Sequence, residues 1–243
     1  MHNNFADRRN PKYLWSIKPI QMLRGIAWFF SIVFHPLLIP TYMLLLLLLI
    51  NPYLFGVSSF QDQGARMLLL LVFLYTFFIP AASIGVMYAL GMVQKVDIPD
   101  RQERIGPYLV TGMLYLWVYY NFSQTGQLPP AFVSFMLGST VALFLAFLVN
   151  LSTKISAHAV GMGGLVAMIL ISLVWFSYGT FTFNLRGNFP LEITMNQLLL
   201  TSVVLAGVVG TSRLLLNAHQ PNDIYGGYLV GFVSQVLAFL YVF

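Results

Sequence analysis

The chain contains no cysteine, so disulfides, thiol catalysis and thiolate metal sites are excluded at the outset. It is also poor in charge. Asp, Glu, Lys and Arg make up 8% of its 243 residues, against about 25% in an average soluble domain. A water-soluble globule needs a polar coat, and this composition cannot supply one. Acidic residues number seven and histidines four, with no metal-ligand spacing among them, so no metal or other cofactor is expected. Internal repeats, linkers and low-complexity stretches are absent apart from the leucine run at 44–49.

What the chain has in quantity is apolar sequence: 58% of residues are hydrophobic, with a mean hydropathy of +0.79. These residues fall in runs of about 20, the length a helix needs to cross a bilayer. Candidate spans are about 24–50, 66–92, 108–122, 131–151, 159–179, 197–216 and 224–243. The alternation of a barrel strand is missing from runs such as Leu44–Ile50. The expected fold class is therefore all-α, a polytopic transmembrane helical bundle of about six or seven spans. A basic N-terminal tail over 1–23 precedes a single transmembrane domain over 24–243. The first apolar run continues to Ile50 with no cleavage site and reads as a retained anchor. His35, Pro36 and Pro40 must break or kink it, which suggests an interfacial helix up to Phe34 followed by one crossing.

The net charge of +5 does not point to nucleic acid. Five of the twelve basic residues (Arg8, Arg9, Lys12, Lys18, Arg24) sit beside the first apolar run, where a topology signal or an anionic-lipid contact belongs. Most other ionisable groups lie in three connections: Lys95–Arg104, Lys154–His158 and Arg213–Asp223. Two spans separate each of these from the next, and an even number of crossings returns a chain to the same side. All three are expected at one membrane face, with Arg66 and Arg186 the only basic residues opposite. Setting aside the five basic residues of these connections leaves five on the motif side against two, and the positive-inside rule then turns that face to the cytoplasm. The expected setting is a bacterial cytoplasmic membrane.

The third connection reads Ser212-Arg213, then His219, then Asp223, the pattern S-R-x5-H-x3-D. The second contains Lys154, Ser156 and His158, and the first contains Arg101, Arg104 and Pro107. Here the chain resembles the type-2 phosphatidic acid phosphatase (PAP2) superfamily of integral-membrane lipid phosphate phosphatases, whose pattern is K-x6-R-P, P-S-G-H and S-R-x5-H-x3-D. The third element matches at every fixed position. The second has Ile155 and Ala157 in place of Pro and Gly, and in the first Arg104 stands three residues before Pro107, with Asp97 where the lysine belongs. Arg101, or otherwise Lys95, is the expected replacement cation. The resemblance spans about 95–223.

The residue types suit that chemistry on their own terms. Phosphoryl transfer is catalysed by positioning and charge stabilisation, and the planar fork of arginine fits phosphate oxygens. Arg104, Arg213 and Arg101 form the expected cradle, with Ser156 and the start of the following helix adding donors. A neutral His219 is the candidate nucleophile, forming a phosphohistidine, with Asp223 accepting from its other ring nitrogen. His158 is the candidate general acid and base. In an ideal helix Ser156 and His158 would diverge by about 200°, so both face one phosphate only if 154–158 is irregular. Pro221 suits the first turn of a new helix.

Plainer readings compete. Asp223 alone is an ordinary helix N-cap candidate, Lys154 reads first as a boundary lysine, and His35–Pro36 as a structural break. Gly161, Gly163, Gly164, Gly226 and Gly227 read as close-packing positions, and Trp117, Tyr119 and Tyr120 as an interface belt. The resemblance implies hydrolysis of a lipid phosphate or polyprenyl diphosphate without a metal, the partners being that substrate and the membrane lipids. The rivals are a lipid phosphotransferase of the same fold and a transporter or channel.

Overall fold

The structure is a computed structural model describing residues 11–95, 98–126, 128–177, 179–185 and 189–243. The start of the basic tail with Arg8 and Arg9, and also Asp97 and Arg186, lie outside the described residues. The chain is an all-α polytopic bundle. Among the described residues, six helical segments are long and apolar enough to cross a membrane, the first of them Gln21–Ile50.

That first segment is broken where its prolines require. Helix α1 (Pro11–Val33) stops before His35, and α2 (Ile39–Ile50) resumes after a 3₁₀ turn at Pro36–Leu38. A residue preceding proline is pushed out of the helical region, and His35 takes φ −62° and ψ 134°. Its Nδ1 accepts the Leu37 N–H at 3.4 Å.

The second span is also interrupted. Helices α3 (Gln63–Phe73) and α4 (Ile79–Ala89) are joined by a π turn at Leu74–Phe78. Pro80 has no N–H to give to the carbonyl of Thr76, one helical turn earlier. The Tyr115 hydroxyl donates to that carbonyl instead, at 3.0 Å. Tyr115 belongs to α5 (Ile105–Thr125), a 21-residue helix alongside α6 (Pro130–Ser152). At about 1.5 Å per residue, α5 is long enough to cross despite its lower hydropathy.

Helices α7 (Ala157–Trp175), α8 (Met195–Leu215) and α9 (Pro221–Val242) complete the bundle. Between α7 and α8, residues expected as a loop pair as an antiparallel hairpin of β1 (Thr180–Leu185) and β2 (Phe189–Thr194). Phe181 of the hairpin packs with Ile50 and Met195, capping the end of α2 remote from His35.

Helix α7 is the centre of the bundle, and its most extensive contact is with α9. A methyl group at Gly227 would stand 2.7 Å from the Ala159 Cβ and 2.9 Å from the Ser156 carbonyl oxygen. In lipid, where apolar burial does not drive helices together, such small-residue contacts allow the backbones to meet. Gly226 departs from expectation: a methyl group there would meet nothing within 4 Å, so no close approach requires a glycine at that position. Gly227→Val is expected to cost about 2–3 kcal/mol through overpacking, and Gly226→Ala to leave stability unchanged or raise it by up to about 1 kcal/mol, both read from denaturation in detergent. Equal melting of the two variants would contradict the close α7–α9 contact. On the outer side α9 presents Leu229, Leu237 and Leu240, an apolar face suited to lipid.

Candidate active site

The three charged connections meet at one end of the bundle, as the parity of the spans requires. Hydrogen bonds tie them in pairs. The Arg104 Nη1 donates to the Ile155 carbonyl at 3.1 Å, the Lys154 Nζ to the Ala218 carbonyl at 2.9 Å, and the Ser156 N–H to the Asp223 carbonyl at 3.2 Å. The connection after α2 and that before α6 come together at the opposite end, around Phe55, Val57, Phe122 and Leu128.

His219 owes its position to two local signals. After Arg213, α8 ends in a reversal in which the Ala218 N–H bonds to the Arg213 carbonyl at 3.1 Å and the Asn217 N–H to the Leu214 carbonyl at 2.9 Å. This is the Schellman pattern, and it needs a left-handed residue. Asn217 supplies it with φ 55°, a conformation asparagine tolerates better than most side chains. Pro221 then opens α9. Asp223 is not the N-cap of that helix, as its sequence position suggests. Gln220 is the cap, and Asp223 lies three residues further in. One carboxylate oxygen, Oδ2, accepts the Gln220 N–H at 3.1 Å and also faces the His219 Nδ1 at 3.2 Å. A carboxylate accepts only, so the hydrogen is on Nδ1 and the lone pair on Nε2.

The His219 side chain is only 2% exposed. Burial, foremost, and the positive charges of Arg104, Arg213 and Lys154 push its pKa down to about 4, against the opposing pull of Asp223. The imidazole is therefore neutral at pH 7. Lys154 is also lowered, by partial burial and then by Arg104, with Asp223 opposing.

His219 lines a cavity of about 800 Å³ reached by Arg104, Arg213, Lys154, His158 and His35. Every charged side chain among its described lining residues is cationic. Apolar side chains, including Trp28, Ile32, Ile84, Phe135 and Leu143, make up much of the remaining wall. Arg104 is buried and spans two connections, its Nε donating to the Ile98 carbonyl at 2.8 Å. Ile98 holds φ 42°, strained for a β-branched residue, where the left-handed region costs about 1–2 kcal/mol.

Three expected phosphate contacts are not on this cavity. Arg101 instead donates from Nη1 to the Ser152 carbonyl, and its own carbonyl accepts the Asn150 Nδ2 at 2.8 Å. It fastens the first connection to the end of α6, where the unpaired carbonyls of the last turn attract a cation. Lys95 is exposed on the same connection and does not line the cavity. Ser156 is fully buried, and its Oγ caps α7 by accepting the Ala159 N–H at 3.4 Å. The third cation at the cavity is Lys154, whose plainer reading as a boundary lysine understates it.

His158, in the first turn of α7, has its Nε2 2.9 Å from the Ser31 carbonyl of α1. The His35 ring lies edge-on to it, with centroids 5.6 Å apart. Sequence reasoning took His35 only as a break in a helix. The missed signal was its chemistry, since a titratable side chain within a spanning segment is uncommon without a purpose. Among the described residues, no three of histidine, cysteine, aspartate and glutamate cluster as a metal site would require. No known protein family, curated protein or solved structure matches this chain.

Proposed function

We propose that this chain hydrolyses an amphiphilic phosphate ester or diphosphate at the membrane surface, through a phosphohistidine on His219 and without a metal. The observation that carries the reading is the His219 imidazole, its Nδ1 3.2 Å from Asp223, on a cavity whose charged side chains among the described residues are all cationic. The resemblance to the type-2 phosphatidic acid phosphatases agrees with it at Arg213, His219, Asp223, His158 and Arg104.

In the first step the Nε2 lone pair of His219 attacks phosphorus. The phosphorus–oxygen bond to the leaving group breaks, its electron pair stays on that oxygen, and His158 passes to it a proton taken from the monoanionic substrate. In the second step water attacks phosphorus, the phosphorus–nitrogen bond breaks, and its electron pair returns to Nε2. The proton of the attacking water passes to His158 and from it to the released phosphate. The sum is ester plus water giving alcohol and inorganic phosphate, or diphosphate plus water giving the monophosphate and inorganic phosphate. Arg104, Arg213 and Lys154 face the non-bridging oxygens, whose charge they stabilise. The apolar walls suit the hydrocarbon part of the substrate.

The test is phosphate release by purified protein in detergent with EDTA. Phosphatidic acid, phosphatidylglycerophosphate, a polyprenyl diphosphate and a lipid A phosphate form the panel, and no release from any of them refutes the proposal. A pH prediction accompanies it. Nε2 loses its lone pair on protonation, so activity falls as pH drops through the His219 pKa. The acid limb of kcat/KM is expected near pH 4, once the substrate's own ionisation at about pH 6 is allowed for. A limb at or above the ordinary histidine value would contradict the environment assigned to His219.

A further inference from the structure

The three motif connections leave one wall of the site to the first, broken segment. In an unbroken helix the Ser31 carbonyl would accept the N–H of residue 35, four positions on. The break redirects that donor: the His35 N–H bonds to the Ile32 carbonyl at 3.1 Å. The Ser31 carbonyl is thereby one of the orphan acceptors of a helix end, and the His158 Nε2 lies 2.9 Å from it. A carbonyl can only accept, so the hydrogen of His158 is on Nε2.

His35 is placed with equal care. Its Nδ1 holds the Leu37 N–H. Its ring packs edge-on between His158 and Phe77, at centroid distances of 5.6 and 6.3 Å. Phe77 belongs to the π turn that Pro80 imposes on the second span. Two proline-induced interruptions, in different spans, thus bring His35 and Phe77 together beside His158.

We infer that the broken first segment is a fourth component of the active site. The Ser31 carbonyl holds His158 as the Nε2–H tautomer, so Nδ1 is the nitrogen that exchanges protons with the leaving oxygen and with water. His35 is a positioning residue that keeps ring and carbonyl together. The two reactive histidines are then used in opposite senses. His219 reacts through Nε2 and is backed by a carboxylate, which steadies the positive charge its ring carries once phosphorylated. His158 reacts through Nδ1 and is backed by a neutral carbonyl. A neutral carbonyl fixes the tautomer while favouring the imidazolium less than a carboxylate would.

The catalytic part of this inference rests on the proposed hydrolysis, but the tautomer does not, and the experiment reads both. The full chain in detergent, labelled with nitrogen-15 in its histidine rings, has four imidazoles to resolve, assigned by single replacements. Wild-type His158 is expected to carry hydrogen on Nε2, and His219 on Nδ1. His35→Asn keeps an acceptor for the Leu37 N–H and so preserves the turn. Its expected spectrum has His219 unchanged and His158 spread over both tautomers. Its kcat is expected to fall about 10–100-fold with KM within about threefold, less than the 10²–10⁴-fold that a general acid itself contributes. A wild-type His158 with hydrogen on Nδ1 overturns the inference. So does a His35→Asn protein with wild-type His158 signals and wild-type kcat, since His35 would then merely cap a turn. If His35→Asn does not fold, His35→Gln takes its place and the wild-type tautomer remains decisive. An inactive wild-type protein with the expected tautomers would refute hydrolysis while leaving the clamp on His158 intact.

Discussion

Replacement of His219 by alanine is expected to reduce phosphate release at least about 10⁴-fold, because the variant has nothing to attack phosphorus and the two-step path closes entirely. The fold should survive the change. Among the described residues the side chain bonds to Asp223, and that carboxylate keeps the Gln220 N–H when the ring is gone. Elution and melting close to wild type would therefore accompany the loss of turnover, and both are needed for the result to count. A chemical trap sharpens it. Rapid acid-free quenching of wild-type protein with phosphorus-32-labelled substrate should capture a phosphoenzyme that is stable to alkali and labile to acid, as expected of a phosphorus–nitrogen bond. The same quench of His219→Ala should capture none. Turnover persisting in the variant would remove the nucleophile from His219 and leave the cationic cavity as a binding site alone.

The parts of this site that were legible in the sequence are those decided within a few residues. His219 and Asp223 are four positions apart across Pro221, and proline at the first helical turn sets their relation locally. The convergence of three connections at one face followed from counting apolar runs, which needs no knowledge of packing. Choices between tertiary partners were not legible. Arg101 and Lys154 are both cations at span ends, and the carbonyl each one finds depends on where α6 stops. Ser156 could serve a ligand or a helix, and the N-cap geometry turned it inward. The β hairpin had a signal that was passed over, the alternation Thr180-Phe181-Thr182-Phe183 between two long helical runs. His35 lay in plain view, but its ring meets His158 only because the prolines at 36 and 80 interrupt two separate spans. A chain read one segment at a time does not display that coincidence.

Asp223→Asn is expected to lower kcat about 10²–10⁴-fold with KM unchanged or reduced. The magnitude is that seen when a carboxylate behind a catalytic histidine becomes an amide, which no longer enforces the tautomer or the charge on the ring. The direction of KM follows from the charges around the cavity. Asp223 is the acid that opposes Arg104, Arg213 and Lys154 at His219 and at Lys154. Its neutralisation leaves those cations with less to offset them and favours an anionic ground state, even as the transition state loses its support. Helix α9 should remain intact, because the amide oxygen can still accept the Gln220 N–H. Asp223→Ala loses that bond as well and should melt earlier by a further cost of about 1 kcal/mol. The two variants therefore separate the roles this residue holds at once. Steady-state kinetics at saturating lipid, with melting curves alongside, make the measurement. An asparagine variant with raised KM and undiminished kcat would show Asp223 to be only the partner of the Gln220 cap, standing by chance beside a histidine.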